Sequence, residues 1–369
     1  MFLFWRNKEY YIKKGDLAFK NKKYEKAIKS YNKAIALEKS DFFSFFKRGN
    51  TFSKIKNHEK AIDDYTTVLS LNAAYSEAYF KRSIEFDKMG YISSAIEDMT
   101  EYIKKNPAAY EGYNLRCKYY CRTGEYEPVI SDLNKMITIS PTSDLLCKRG
   151  ELKSYKKKYA EAMSDYKRAY KINTNDAKAS DGIGKTLFLL NKKEEAVEWL
   201  ENAVKLNSTN INTFFYLGLY SQENKNFNKA LSYYEQGTKM KGETLTALFC
   251  NLGICYCYLN EFDDAQKTLH KALEINPDES TAKEVIENIK SILDIQRKEK
   301  KSKTIGEIKT NIRKGRTYPC VIHKNEGITC LYGHPILKGP KGCNSVGVPC
   351  YWDNYIESTY LTESNLKNI

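Results

Sequence analysis

The fold is decided by the stretch GNTFSKIKNHEKAIDDY, which occupies residues 49–65, and by its recurrence along the chain. Residues 150–166 read GELKSYKKKYAEAMSDY, with glycine, alanine and tyrosine at the same three places. A small residue opens each copy, at steps of 33 to 35 residues: Gly15, Gly49, Ser83, Cys117, Gly150, Gly184, Gly218 and Gly253. A fixed period of this size indicates a repeat array, in which each copy buries its apolar face against its neighbours.

Each copy carries two further apolar positions. Twelve residues after the small residue lie Ala27, Ala61, Ala95, Val129, Ala162, Ala196, Ala230 and Ala265. Four residues later come larger side chains: Tyr31, Tyr65, Met99, Leu133, Tyr166, Leu200, Tyr234 and Leu269. This pattern resembles the tetratricopeptide repeat, a helix-turn-helix unit with small residues where its two helices cross. Pro107, Pro141 and Pro277 stand where that family often ends its second helix.

The resemblance implies an all-α superhelical solenoid, and it divides the chain as follows. Residues 1–7 are a lead-in whose Phe2, Phe4 and Trp5 are expected to cover the first repeat, and residues 8–279 hold eight repeats. Val285, Ile286, Ile289, Ile292 and Leu293 recur at helical spacing, which predicts a capping helix over 280–296. A basic linker over 297–316 and a Gly/Pro-rich tail over 317–369 follow, with two short strands predicted around residues 320–323 and 328–332.

In this family, positions two, five and nine of each first helix line a groove for a partner segment, where the small residue is position eight. The groove residues expected here are Phe43, Phe46, Asn50, Phe80, Ile84, Asn114, Lys118, Lys185, Phe215, Leu219 and Ile254. Phe46, Phe80 and Ile84 predict one aromatic pocket, and Phe215, Leu219 and Ile254 predict another. The alternative is that the phenylalanines pack against neighbouring helices.

Some family members bind acidic chaperone tails through lysine, asparagine and arginine side chains. The first repeat has Ile12 and Asp16 where that clamp needs Lys and Asn, and the third has Glu77 and Lys81 where it needs Lys and Arg. The clamp is therefore not expected, although a co-chaperone-like accessory role without it is one alternative function.

The tail concentrates metal-ligating residue types. Cys320, His323, Cys330, His334, Cys343 and Cys350 lie within 31 residues. Tetrahedral zinc takes thiolate and imidazole ligands, commonly as two close pairs. The spacings match no known zinc finger, so free thiols in an ordered module, disorder and a disulfide are the alternatives to zinc.

Charge and cysteine usage suggest the compartment and the classes of partner. The net charge is +14, and the segment from Arg297 to Arg316 holds nine Lys/Arg against two Glu. This segment could bind nucleic acid or carry a nuclear-import signal, but it lacks aromatic residues for base stacking, and a solvated linker is the other interpretation. The sequence contains neither a signal peptide nor a run of 18 apolar residues, and its array cysteines suit a reducing, cytoplasmic setting.

No motif predicts catalysis. Gly184-Lys185-Thr186 lacks the earlier glycine of a phosphate loop, because Ala179 stands there. The sequence therefore predicts a non-catalytic scaffold that binds an extended segment or helix of another protein, with no cofactor apart from a candidate zinc ion in the tail. A nucleic-acid-associated adaptor that uses the linker and tail is the other alternative.

Overall fold

The computed structural model describes residues 7–242 and 244–302, with side chains to residue 295. In these ranges the chain is all-α, with no β-strand. The helices are α1 Lys8–Lys20, α2 Tyr24–Leu37, α3 Phe42–Lys54, α4 His58–Leu71, α5 Ser76–Lys88, α6 Ile92–Lys105, α7 Tyr110–Thr123, α8 Tyr126–Ile139, α9 Ser143–Tyr155, α10 Tyr159–Ile172, α11 Ala177–Leu189, α12 Lys193–Lys205, α13 Ile211–Glu223, α14 Phe227–Thr238, α15 Leu245–Tyr258, α16 Phe262–Ile275 and α17 Ser280–Ser302. The first sixteen form consecutive pairs with the predicted period, which confirms the solenoid fold.

The described chain divides into two compact units. One comprises the described residues up to Leu145, and the other begins at Leu146, within α9. In each unit, the second helix of a pair packs against the first helix of the next pair, as α2 does against α3 and α14 against α15. Each unit is therefore built by stacking neighbouring pairs.

The core of each pair is the predicted crossing, at which a small residue of the first helix meets a large residue of the second. We call the small residue that opens each copy, from Gly15 to Gly253, the marker. The eight residues twelve places after the marker are at most 1% exposed, and the eight large residues four places later are at most 3% exposed. A Cβ atom added to Gly49 would lie 2.9 Å from the Tyr65 ring, and one added to Gly253 would lie 2.7 Å from Leu269. The two helices are thus too close for a larger side chain at the marker.

The turn inside each pair repeats a left-handed residue seven places after the marker. These residues are Lys22, Lys56, Gly90, Gly124, Lys157, Asn191, Lys225 and Asn260, all with positive φ. The next residue donates its backbone N–H to the carbonyl five residues earlier, as Asn57 does to Phe52 at 2.9 Å. This is the Schellman end of a helix, a place that glycine and asparagine favour and lysine does not.

We expect Lys56→Gly to raise the free energy of unfolding by about 1 kcal/mol, because a lysine pays a steric penalty at φ 61° that glycine avoids. Thermal and urea unfolding of the full chain measure the change. Lys167→Gly, inside α10, is the matched control and should lower stability by about 1 kcal/mol, since glycine there only loosens a helix. Equal losses in both variants would contradict the prediction.

Arginine and aspartate connect successive pairs in the first unit. Each arginine lies one place before the marker and donates two hydrogen bonds to an aspartate sixteen residues later. Arg82, for example, donates from Nε and Nη2 to the Asp98 carboxylate at 2.8 and 2.7 Å. Its Nη1 reaches back to the preceding pair, where Thr66 Oγ1 accepts at 2.9 Å. The same three-residue bridge recurs with Arg48, Asp64 and Asn32, and with Arg116, Asp132 and Thr100. Each bridge therefore fixes the position of one pair relative to the pair before it.

The second unit begins with the same chemistry and then abandons it. Arg149 pairs with Asp165, which also lies 3.0 Å from Lys153. In the three following repeats the arginine position holds Ile183, Leu217 and Leu252, all buried. The aspartate position changes as well, to Trp199, Tyr233 and Thr268. At these two positions the later pairs therefore have no arginine–aspartate bridge.

We expect Arg82→Met to lower the free energy of unfolding by about 3 kcal/mol, because Asp98 then stays buried without its cation. The double variant Arg82→Met/Asp98→Leu should recover most of that loss, since no charge is left buried. Urea unfolding followed by circular dichroism measures both. A double variant no more stable than the single one would show that the ion pair itself stabilises the fold, and that the loss in the single variant does not come from the orphaned carboxylate.

The predicted capping helix is present as α17. Val285, Ile286, Ile289 and Ile292 pack into one cluster with Cys250 and Ile254 of α15, and Leu293 lies against that cluster. The helix continues to Ser302, into the segment that the sequence assigns to a linker. The lead-in residues 1–6, the linker beyond Ser302 and the tail with its two predicted strands lie outside the described residues.

Candidate functional site

The first unit presents an aromatic surface on its first helices. Phe43 is 43% exposed, whereas Phe46, one turn later on α3, is only 6% exposed. The ring of Tyr75 joins them, at 6.2 Å from Phe43 and 4.9 Å from Phe46, and Phe42 lies 5.2 Å from Tyr75. We call Phe42, Phe43, Phe46 and Tyr75 the aromatic surface. Only its outer members are accessible to a partner.

A tethered cation borders the aromatic surface. Lys47 Nζ lies 5.3 Å from the centre of the Phe43 ring and forms an ion pair with Asp16 at 2.9 Å. Asp16 also accepts a hydrogen bond of 2.8 Å from the Tyr31 hydroxyl. Burial, together with this carboxylate, raises the pKa of Tyr31, so the phenol stays a donor. The cation and the exposed ring are thereby held at one place.

Asn50, one of the predicted groove residues, occupies in the second repeat the position that Asp16 holds in the first, and it makes the corresponding contact with a tyrosine. Asn50 Oδ1 accepts a hydrogen bond of 2.8 Å from the Tyr65 hydroxyl. Its amide N–H groups contact no acceptor among the described residues, which leaves them for an acceptor on a partner. Within the aromatic surface, burial and then Glu77 raise the pKa of the Tyr75 phenol to about 12.

The sequence predicts that Phe46, Phe80 and Ile84 form one pocket, but the structure does not bring them together. Phe80 packs against Tyr102 at 5.1 Å, in a cluster built on Met99 and Tyr119, whereas Phe46 belongs to the cluster of Tyr65. The reason is that each phenylalanine contacts the second helix of its own pair. Both Phe80 and Ile84 are half-buried, so they offer edges rather than a shared pocket.

The next repeat adds polar groups to the same face. Asn114 is half-buried and Lys118 is exposed on α7. Burial and the carboxylates of Glu111 and Glu77 raise the pKa of Tyr102. The face beyond the aromatic surface is therefore polar and carries both signs of charge.

The predicted groove residues of the second unit are largely buried, which corrects the second aromatic pocket. Phe215 is 0% exposed, Leu219 6% and Ile254 8%. The ring of Phe215 lies 6.3 Å from Tyr234, the large residue of its own pair, and Ile254 packs into the α17 cluster. These side chains thus pack within the unit. This agrees with the alternative interpretation, in which the phenylalanines pack against neighbouring helices. Their contribution to partner binding stays a prediction.

Two charged groups of the second unit are shielded from water. Asp181, also at a groove position, is 5% exposed and accepts hydrogen bonds from Ser208 Oγ at 2.7 Å and from Thr213 Oγ1. Burial raises the pKa of the Asp181 carboxyl to about 6, although those hydroxyl donors oppose the shift. Lys185 is half-buried, and burial lowers the pKa of its amine while Glu151 opposes this.

The Asp181 pKa predicts a pH-dependent stability. Because its pKa rises from 3.8 unfolded to about 6 folded, the folded state binds more protons between those values, and stability falls as pH rises from 3.8 to 6. Asp181→Asn removes this loss, so its stability relative to the parent should increase by about 2 kcal/mol between pH 4 and pH 7. Urea unfolding at each pH measures the difference, with Asp263→Asn at an exposed site of α16 as the control. Parallel curves for parent and Asp181→Asn would contradict the assignment.

The array cysteines are structural, as expected. Cys117, Cys121, Cys147, Cys250, Cys255 and Cys257 are buried free thiols. Burial raises the pKa of the Cys257 thiol to about 12, which makes it a poor nucleophile. Among the described residues no group of His, Cys, Asp and Glu is placed to hold a metal ion. The six predicted zinc ligands, from Cys320 to Cys350, lie outside them.

A helix that crosses a membrane must be long and predominantly apolar. None of the described helices combines the length and the apolar composition that crossing a bilayer requires.

Three models of related repeats match the sequence. A tetratricopeptide repeat model matches residues 44–75, 143–176 and 177–210, a second matches 247–279, and a TPR repeat model matches 15–56. No curated protein matches the chain.

Solved structures resemble it at low identity. Cut9–Hcn1, a heterotetramer of the APC/C, is 15% identical over 76% of this chain and 55% of its own, with a TM-score of 0.47. PilF of Pseudomonas aeruginosa is 15% identical over 57% of this chain and 96% of its own, with a TM-score of 0.47. The first TPR of Spaghetti (RPAP3), bound to an HSP90 peptide, is 22% identical over 32% of this chain and 97% of its own, with a TM-score of 0.31.

The matched segments fall on the helix pairs, and the small-to-large crossing and left-handed turn recur in every pair at the same two places. The eight pairs are compatible with eight repeats. By its sequence models and its period, the chain contains tetratricopeptide repeats.

Proposed function

We propose that the protein is a non-catalytic scaffold that holds an extended segment or helix of a partner along its first helices. Tetratricopeptide repeats indicate a protein-interaction scaffold. Within the described residues, the aromatic surface is the anchor of the site. The observation that carries this is the exposure of Phe43, at 43%, beside rings that are already packed.

The chemistry of the aromatic surface favours an apolar side chain flanked by polar groups. A large ring that is half in water loses its hydration when a partner covers it, and a rigid ring pays little conformational entropy. Lys47, paired with Asp16, lies over the Phe43 ring. Asn50 follows one turn after Phe46 on α3, and Glu77 accepts a hydrogen bond of 3.3 Å from the Tyr75 hydroxyl. Such a polar rim around an aromatic centre is the usual arrangement of a binding hot spot.

The remaining predicted residues extend this site. Asn114 and Lys118 offer polar contacts further along the first unit, and Lys185 does so in the second. Phe46, Phe215, Leu219 and Ile254 are buried, and we expect them to support the shape of each face from below. The nucleic-acid alternative depends on the linker and tail, which lie outside the described residues.

The test compares Phe43→Ala with the parent in affinity capture from native lysate, followed by titration of the purified captured protein. We expect Phe43→Ala to fold normally, because the ring is exposed, and to weaken binding about tenfold or more. Tyr91→Ala is the matched control, since Tyr91 is a 54% exposed aromatic at the turn between α5 and α6.

Loss of binding in Phe43→Ala alone would support the aromatic surface. Equal binding by all three proteins would exclude the aromatic surface as the anchor, and equal loss in both variants would indicate a general effect on the fold.

A further inference from the structure

A lysine-lined cleft lies between α1 and α2, away from the aromatic surface. Its volume is about 410 Å³, and the amines around it belong to Lys14, Lys23, Lys26, Lys29 and Lys33. No acidic residue lines it, and the rest of its wall is Tyr11, Leu17, Ala18, Asn21 and Ser30. We call this the lysine cleft. It combines a strongly positive rim with a small apolar floor.

The five amines have no carboxylate partner among the described residues. All five lysines are exposed, and the ion pairs of the first repeat involve other residues, namely Lys8 with Glu38 and Asp41, and Asp16 with Lys47. On α2, Lys26, Lys29 and Lys33 follow at three- and four-residue steps, so they form one stripe. A stripe of unpaired like charges is a surface that an anionic partner would stabilise.

The register of the repeats shows which face bears the lysine cleft. Moving by one period of 34 residues takes Tyr11, Lys14 and Ser30 to Phe45, Arg48 and Asp64. In the second repeat that face stacks on the preceding α2, because Arg48 reaches Asn32 at 2.7 Å. The lysine cleft therefore lies on the face that later repeats use to receive a helix, and no described helix precedes α1.

The chain contains an example of what such a lysine binds. Lys229 holds the position in the seventh repeat that Lys26 holds in the first. Its Nζ lies 3.0 Å from Glu201 on α12, the second helix of the preceding pair, and the Tyr233 hydroxyl donates to the same carboxylate at 3.0 Å. Burial counts against ionisation of Glu201, yet these partners keep its pKa below the usual range. A lysine at this position thus pairs with a glutamate carried by a helix.

We propose that the lysine cleft is a second binding site, which takes an amphipathic helix of a partner protein with glutamates or aspartates along one face and aliphatic residues beside them. The carboxylates would pair with Lys26, Lys29 and Lys33. The aliphatic stripe would cover Leu17, which is 62% exposed, as a helix of this chain covers the same face in later repeats.

The surroundings favour an acidic helix over a nucleic acid. Tyr11 is the only aromatic residue in the described wall of the lysine cleft, and Lys33 Nζ already lies over its ring at 5.6 Å. A base would therefore find no free platform for stacking.

A second copy of this chain fits less well than an acidic partner. The last described helix, α17, exposes Lys283 and Lys290 beside Glu284 and Glu287, so its charges are mixed rather than acidic. Like charges from those lysines would meet the lysine cleft.

The test titrates the full chain with a labelled synthetic helical peptide that carries glutamate at i, i+3 and i+7 beside leucines, and with the same peptide in which glutamine replaces every glutamate. The protein variant is Lys26→Glu/Lys29→Glu/Lys33→Glu. A matched control, Lys167→Glu/Lys171→Glu/Lys239→Glu, makes the same change in net charge at exposed lysines of α10 and at the C-cap of α14. Thermal melting checks that both triple variants fold.

We expect the acidic peptide to bind the parent and the control equally, and to bind the cleft variant at least about tenfold more weakly. Raising the salt from about 50 to about 200 mM should weaken binding to the parent, and the glutamine peptide should bind poorly. Equal weakening in both variants would overturn the proposal, because the attraction would then be one of net charge alone.

Two further arms distinguish the other occupants. A single-stranded RNA of the same charge that displaced the peptide at lower concentration would show a nucleic-acid site and overturn the proposal. Deletion of residues 2–6 that created binding absent from the full chain would overturn it too, since the chain's own segment would be the occupant. The cleft variant should keep the Phe43-dependent partner, so failure here leaves the aromatic surface untouched.

Discussion

Everything in this chain depends on the close crossing of two helices at the marker residue. At Gly49 and Gly253 the partner side chain fills the space where a Cβ would stand, and the alanine twelve residues later is fully buried beside it. Since the small residue, the alanine and the large residue recur with one period, each pair adopts nearly the same internal geometry. A chemical period in the sequence thereby becomes a structural period, and any residue at a given position meets the same neighbours in each repeat.

Two kinds of chemistry use that regularity to join the pairs. In repeats two to five an arginine grips an aspartate of its own pair, and in repeats two to four it is also seen to reach the preceding pair. Burial raises the pKa of Asp64, Asp98 and Asp132 even though each has its arginine, so desolvation outweighs the ion pair. Such a bridge contributes alignment more than net stability. In the later repeats leucine and isoleucine replace it, and the first helices α11, α13 and α15 become buried on most sides.

Local pattern was enough to predict the helices, the crossing residues and the capping helix, because each depends on residues within one period. Exposure could not be predicted in the same way. Phe43 and Phe46 look alike in sequence, yet one is 43% exposed and the other 6%, since Phe46 packs against Tyr65 in the core of the pair as well as against Tyr75. Tyr75 precedes its helix and lies outside the groove positions, so its role was missed. The Arg48, Arg82 and Arg116 series was visible at the repeat period, but its bridging role required the partners sixteen residues away in both directions.

The same periodicity explains why the first repeat differs from the rest. A repeat in the middle of an array has its stacking face covered, so its polar groups can be matched to a known neighbour, as Arg48 is to Asp64 and Asn32. The first described repeat has Lys14 and Ser30 at those two places, and no aspartate to hold the cation. This face corresponds to the one on which later repeats receive a helix, but its lysines have no carboxylate partner among the described residues. A helix that supplies the missing carboxylates would complete the pattern that the chain itself establishes between Lys229 and Glu201.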